Sequence, residues 1–212
     1  MRNWGASIIL LVMSERIGVF GGTFDPPHLG HLILAAEAQA QLGLERVLWV
    51  LTPQPPHKPT HPLTPLTHRV AMVQRTIAEN TCFELSTVEI ERPGPHYTAD
   101  TLQILQRQYP ASQLFLLIGG DSLRDLPGWK QPQAIIAAVH ALGVMRRPDD
   151  RIPLEALEQL FPGLSNKLCF VHSPQLEISS SLIRQRIAER GHYRYYLPAS
   201  VYDYIQEWGL YR

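Results

Sequence analysis

The sequence predicts an α/β fold: one domain built on a doubly wound parallel sheet with helices on both faces. Three observations carry this. Apolar runs of strand length alternate with helix-length stretches along the whole chain. Several runs, such as VLWVL ending at Leu51 and LFLLI ending at Ile118, are apolar throughout, as in strands covered on both faces. No internal repeat or linker-like shift in composition divides the chain.

The elements follow in order. Strands are predicted at 16–20, 46–51, 83–88, 113–118, 140–145 and 168–172. Helices are predicted at 31–42, 66–79, 98–108, 131–138, 153–160, 180–189 and 199–207. Gly43 suits the end of the first helix, where a left-handed residue closes the last turn. Residues 53–65 are too rich in proline for strand or helix, and a rigid surface loop is expected there. In such sheets ligands bind beyond the carboxyl ends of the strands, so the chemically useful residues should follow each strand.

Composition narrows the partners. The 212 residues carry 19 Lys plus Arg and 19 Asp plus Glu, so no global basic field exists to hold nucleic acid. Any anion must be held by a local site. Cys82 and Cys169 are isolated and lack metal-ligand spacing, which fits a reducing cytoplasm. The apolar stretch at 6–13 is far shorter than the roughly 20 residues a membrane span needs, and no signal-cleavage pattern follows it. We expect residues 1–13 to be an extension or upstream start, with Met13 an alternative start, and the domain to occupy 14–212. The sequence leaves the oligomeric state open, a homo-oligomer included.

The stretch GVFGGTFDPPHLGHL concentrates the chemistry. A strand ends at Gly21 and Gly22, where bare backbone lets a ligand approach N–H groups. A helix then begins near Leu29 to His31, and its first turn offers unpaired N–H groups and the positive end of the dipole. That combination favours a bound phosphate. His28 and His31 fall on one side of the turn and can donate hydrogen bonds to phosphate oxygens as charge grows there. A zinc pair is the rival reading, but no third ligand stands nearby. The motif is neither a Walker loop nor a G-x-G-x-x-G fingerprint. Further on, EISSSLIRQR follows the sixth strand. Ser179, Ser180 or Ser181 can cap its helix, and the Arg184 guanidinium can clamp phosphate oxygens. After the fourth strand, IGGDSL again exposes backbone; Asp121 suits either ribose hydroxyls or a helix cap.

GGTFDPPHLGHL resembles the G-x-F-D-P-x-H-x-G-H motif of the nucleotidyltransferase superfamily. PPHK, YTADTL, IGGDSL, Trp129, RRP, ISSSLIRQRI and GLYR extend the resemblance over nearly the whole chain after Ser14, to bacterial nicotinate mononucleotide adenylyltransferases. The resemblance implies a Rossmann-like fold and transfer of AMP from ATP to nicotinate mononucleotide, giving nicotinate adenine dinucleotide and pyrophosphate, with Mg²⁺ carried mainly on the ATP phosphates. It implies that His28, His31 and Arg184 are catalytic. ATP would meet Gly21, Gly22, Thr23, Phe24, Gly119, Asp121, Ile178, Ser180 and Ser181. The acceptor would meet Thr98, which helps read the nicotinate carboxylate, and Trp129, whose π-face suits a pyridinium. Lys58, with His57, and Arg146 or Arg147 are candidates for the acceptor phosphate and leaving pyrophosphate. Ser181 stands where the family often has threonine, and the hydroxyl is kept. No metal-binding residue is expected in the protein, and no nucleic-acid or membrane partner. The alternatives are a nicotinamide mononucleotide or other phosphorylated acceptor, and a non-catalytic nucleotide-binding module.

Overall fold

The computed structural model describes residues 14–55, 62–145, 151–174 and 176–212. Six strands form one sheet: β1 (Arg16–Gly22), β2 (Arg46–Leu51), β3 (Phe83–Ser86), β4 (Gln113–Gly119), β5 (Ala141–Met145) and β6 (Leu168–Val171). Every neighbouring pair is parallel, in the order β3-β2-β1-β4-β5-β6. This is the doubly wound arrangement expected, and strand order reverses between β1 and β4.

Parallel strands need crossovers, and helices supply them. These are α1 (Leu29–Leu42), α2 (Leu66–Ile77), α3 (Thr98–Gln108), α4 (Gly120–Asp125), α5 (Pro132–Ala138), α6 (Leu154–Leu160), α7 (Ser180–Ala188) and α8 (Ala199–Trp208). Alternate strand residues serve opposite faces. Ile17, Val19, Leu114, Leu116 and Leu142 pack with Leu102 and Leu105 of α3 and Ile135 of α5. Phe20, Trp49, Phe115 and Leu117 pack with Leu34, Ala35 and Ala38 of α1 and Val73 of α2. Continuous apolar runs are thus the sum of two half-patterns, each with its own helical layer. A third cluster joins α2, α7 and α8 through Met72, Ile183, Val201 and Ile205. Burial of each such large side chain contributes about 1.5–3 kcal/mol.

Some boundaries differ from expectation. β1 runs on through Gly21 and Gly22, because both still pair with β2, opposite Val50 and Leu51. β3 stops at Ser86, where its pairing with β2 ends. The helix α4 directly after β4 was not foreseen, since its six residues are too few to show periodicity. Residues 1–13, Lys58, His57, Arg146 and Arg147 lie outside the described residues.

Candidate active site

A cavity of about 690 Å³ opens at the carboxyl ends of β1 and β4, where strand order reverses. Its size is that of a small-molecule site. It is lined by His28, His31 and Arg184, by Gly21, Gly22, Thr23 and Phe24, and by Ile178, Ser180 and Ser181. Gly119, Asp121, Thr98 and Trp129 complete the wall among the residues expected from sequence.

The two histidines are set by the start of α1. His28 is the residue before the helix, with extended backbone, and His31 lies in its first turn. Their rings lie close, with centroids 3.7 Å apart and planes tilted by 31°. Gly30 makes this possible: a Cβ there would sit 3.0 Å from the His28 ring atoms Cε1 and Nδ1. The His28 backbone N–H donates to His31 Nδ1 at 3.2 Å. Nδ1 therefore acts as acceptor, and the neutral ring carries its proton on Nε2 as the available donor. Phe20 and Phe24 flank the His31 ring at 6.0 and 5.2 Å between centroids. Phe24 has a left-handed backbone (φ 48°), held by a ring buried between Phe20 and Trp49. Burial lowers the His28 pKa to about 4; burial and the neighbouring His28 hold His31 well below its ordinary value. Both imidazoles are neutral hydrogen-bond donors before a ligand arrives.

The start of α7 is docked onto the histidine turn. Ser179 is the N-cap of α7, its hydroxyl accepting from the Leu182 N–H at 3.2 Å. Ser180 Oγ donates to the Pro26 carbonyl at 2.8 Å, and Arg184 Nη1 donates to the Asp25 carbonyl at 2.7 Å. Two backbone oxygens of the histidine turn thus fix the start of α7 and aim a guanidinium into the same cavity. Arg184 is also among the residues lining the cavity.

The opposite end of the cavity is shaped by the loop before α3. Arg92 donates to the carbonyls of Pro95 and Tyr97 and to Thr101 Oγ1. Thr101 Oγ1 donates in turn to Glu89 Oε1 at 2.6 Å. No side chain caps α3, so the first-turn N–H groups that begin at Thr98 remain open. Trp129 packs partly on the core while lining the cavity. Asp121 is not the cap of α4; it lies in the first turn, its Oδ1 accepting from the Ser122 N–H, and the cap position is Gly119.

Sequence reasoning missed the buried polar residues around this site: Glu89, His96 and Thr101 on the cavity wall, and Arg69 behind it. Arg69 had a readable signal, because it occupies the apolar stripe of α2 shared with Met72, Val73, Thr76 and Ile77. Among the described residues no group of three or more His, Cys, Asp or Glu could hold a metal ion.

Residues 19–186 match the cytidylyltransferase-like family. A Thermomicrobium roseum protein named probable nicotinate-nucleotide adenylyltransferase is 44% identical over 198 residues, covering 93% of this chain and 92% of that protein. The nicotinate-nucleotide adenylyltransferase of Bacillus subtilis is 39% identical, covering 93% of this chain and 98% of its own. The Plasmodium falciparum nicotinic acid mononucleotide adenylyltransferase, solved with NaAD, superposes with a TM-score of 0.76 at 21% identity. It covers 93% of this chain and 97% of its own, a likeness of fold.

Proposed function

The chain belongs to the cytidylyltransferase-like family, and from that premise we propose the reaction and the role of each residue in the cavity. The protein is a nicotinate-nucleotide adenylyltransferase, a nucleotidyltransferase of NAD biosynthesis. It moves AMP from ATP to nicotinate mononucleotide and releases pyrophosphate. The observation that carries the residue assignment is the pair of neutral, closely set imidazoles and one guanidinium facing a single cavity at the start of α1.

A phosphate oxygen of nicotinate mononucleotide attacks the α-phosphorus of ATP in line, the bond to the β-phosphate oxygen breaks, and pyrophosphate leaves with that electron pair. The nucleophile is already an anion, so no strong base is needed. The task is to hold two repelling anions about 3 Å apart and to stabilise the charge that builds up. His31, through Nε2–H, and His28 donate to the α-phosphate and its neighbours. The first-turn N–H groups of α1 and the bare backbone at Gly21 and Gly22 add dipolar support. Arg184 grips the departing phosphates, with Ser180 and Ser181 beside it.

The open start of α3 suits the nicotinate carboxylate, with Thr98 adding its hydroxyl and Trp129 the face for the pyridinium ring. Asp121 suits a ribose hydroxyl. Lys58 and Arg146 are assigned to the acceptor phosphate and pyrophosphate from sequence. Mg²⁺ would be held through phosphate oxygens and water, with Asp121 and Glu89 the carboxylates among the described lining residues. When bound, the ion neutralises triphosphate charge. The free thiols Cys82 and Cys169 suit the cytoplasm, and no helix among the described residues is long and apolar enough to cross a membrane.

The test is pyrophosphate release from ATP with nicotinate and nicotinamide mononucleotides measured side by side. Turnover is expected with the acid and far less with the amide. Equal turnover would remove the assignment of Thr98 and the α3 N–H groups to the carboxylate.

A further inference from the structure

Around the histidine turn lies a buried network of Arg69, Asp25 and Tyr211 that reaches the cavity through the Asp25 carbonyl. Arg69 is 3% exposed and spends its guanidinium on backbone oxygens. Nε donates to Thr64 at 2.9 Å, Nη1 to Thr23 at 3.1 Å and Thr52 at 2.8 Å, and Nη2 to Pro53 at 2.7 Å. Those four carbonyls come from three separate segments: the turn after β1, the exit of β2 and the approach to α2. Asp25, 2% exposed, accepts from the Thr64 N–H through Oδ2 and from the Tyr211 hydroxyl at 2.7 Å through Oδ1. The Asp25 carbonyl is the group that holds Arg184. The last turn of the described chain is thereby wired, through one carboxylate, to the arginine that faces the cavity.

We propose that Tyr211, acting through Asp25 with Arg69 alongside, is a positioning residue that fixes the spacing between the histidine turn and Arg184; the proposal rests on the adenylyl-transfer reading of that cavity. The chemistry suits the role. A guanidinium is a rigid five-donor fork, and only such a group can bind four carbonyls from three directions at once. Burial and Asp25 raise the Tyr211 pKa, so the phenol stays protonated and always donates. Asp25 offers its carboxylate to Tyr211 and Thr64 and its carbonyl to Arg184, so holding the carboxylate in place restrains the backbone that carries the carbonyl. A displacement of about 1 Å in a reacting constellation costs up to about 100-fold in rate.

The experiment compares wild type, Tyr211→Phe, Arg69→Lys, Arg184→Ala and the Tyr211→Phe/Arg184→Ala double variant with ATP and nicotinate mononucleotide. Tyr211→Phe keeps the ring and removes one hydrogen bond. It should lower kcat about 10- to 100-fold with the KM for ATP changed less than about threefold. Arg69→Lys keeps the charge without the fork and should act in the same direction. With Arg184 already removed, Tyr211→Phe should cost little more, a non-additivity that plain destabilisation would not produce. Amide exchange in residues 23–31 should quicken in Tyr211→Phe while β4 amides stay protected. A kcat within twofold of wild type, or strictly additive losses, would overturn the proposal. Wild-type inactivity on nicotinate mononucleotide would instead refute the substrate reading, and the exchange measurement would still decide the positioning claim: unchanged exchange in residues 23–31 sinks it.

Discussion

At the residue scale, the two histidines are neutral because they are buried, and this has a consequence for stability. A histidine whose folded pKa is lowered takes up its proton more readily in the unfolded chain. Its contribution is intact above the ordinary value near 6.5 and is lost as pH falls toward the folded value near 4. From the His28 shift alone, the loss between pH 7 and pH 5 is about 2 kcal/mol, with His31 adding in the same direction. Urea unfolding at the two pH values should show it, and the difference should shrink in His28→Asn. Gly30→Ala tests the close packing. The new Cβ lies 3.0 Å from His28 Cε1 and Nδ1, so the ring must give way and its setting against His31 changes. Turnover should fall about tenfold or more with the melting temperature nearly unchanged, since the methyl meets a ring and not the core. Wild-type turnover in that variant would mean that the close setting of the two rings has no part in catalysis.

At the element scale, α7 works because it is capped and docked at one end. Ser179 satisfies the Leu182 N–H, and Ser180 reaches Pro26. Ser179→Ala should cost about 1 kcal/mol of stability. For a chain of this size that lowers the melting temperature by about 2–4 °C, readable by calorimetry. Ser180→Ala should spare the melting temperature and raise the KM for ATP, because it loosens the docking without removing the cap. The elements were largely legible in advance. The central strands β1, β2, β4 and β5 fall on apolar runs, since a strand covered on both faces needs one, whereas the edge strand β3, FELS, alternates apolar and polar residues. The helix α4 escaped because six residues cannot display a 3.6-residue period. The residues of the histidine turn were legible because they are consecutive, ten of them from Gly22 to His31. The Asp25, Arg69 and Tyr211 network was not, because its members are up to 186 positions apart and meet only through the fold.

At the scale of the whole molecule, the sheet does one thing for catalysis: strand order reverses between the paired strands β1 and β4, helices pack on opposite faces on either side, and a cavity is left at the carboxyl ends of the two strands. Segments far apart in the chain meet in that cavity, among them three that the mechanism uses most. The histidine turn comes from the first crossover, the open start of α3 from the third, and α7 from beyond the sixth strand. A net charge of zero means that the site alone must attract two anionic substrates. Raising salt should therefore weaken ATP binding only modestly, through local screening. A KM for ATP that climbs steeply between 50 and 300 mM salt would point to steering by a wider field. The central claim is that paired neutral imidazoles at the start of α1 stabilise the charge that grows on the α-phosphate. Its most direct test is pyrophosphate release at saturating ATP and nicotinate mononucleotide by wild type and by folded His31→Ala. The account predicts a kcat lower by about 10²–10³-fold with KM values little changed. An unchanged kcat in a variant with the native circular dichroism spectrum would contradict it.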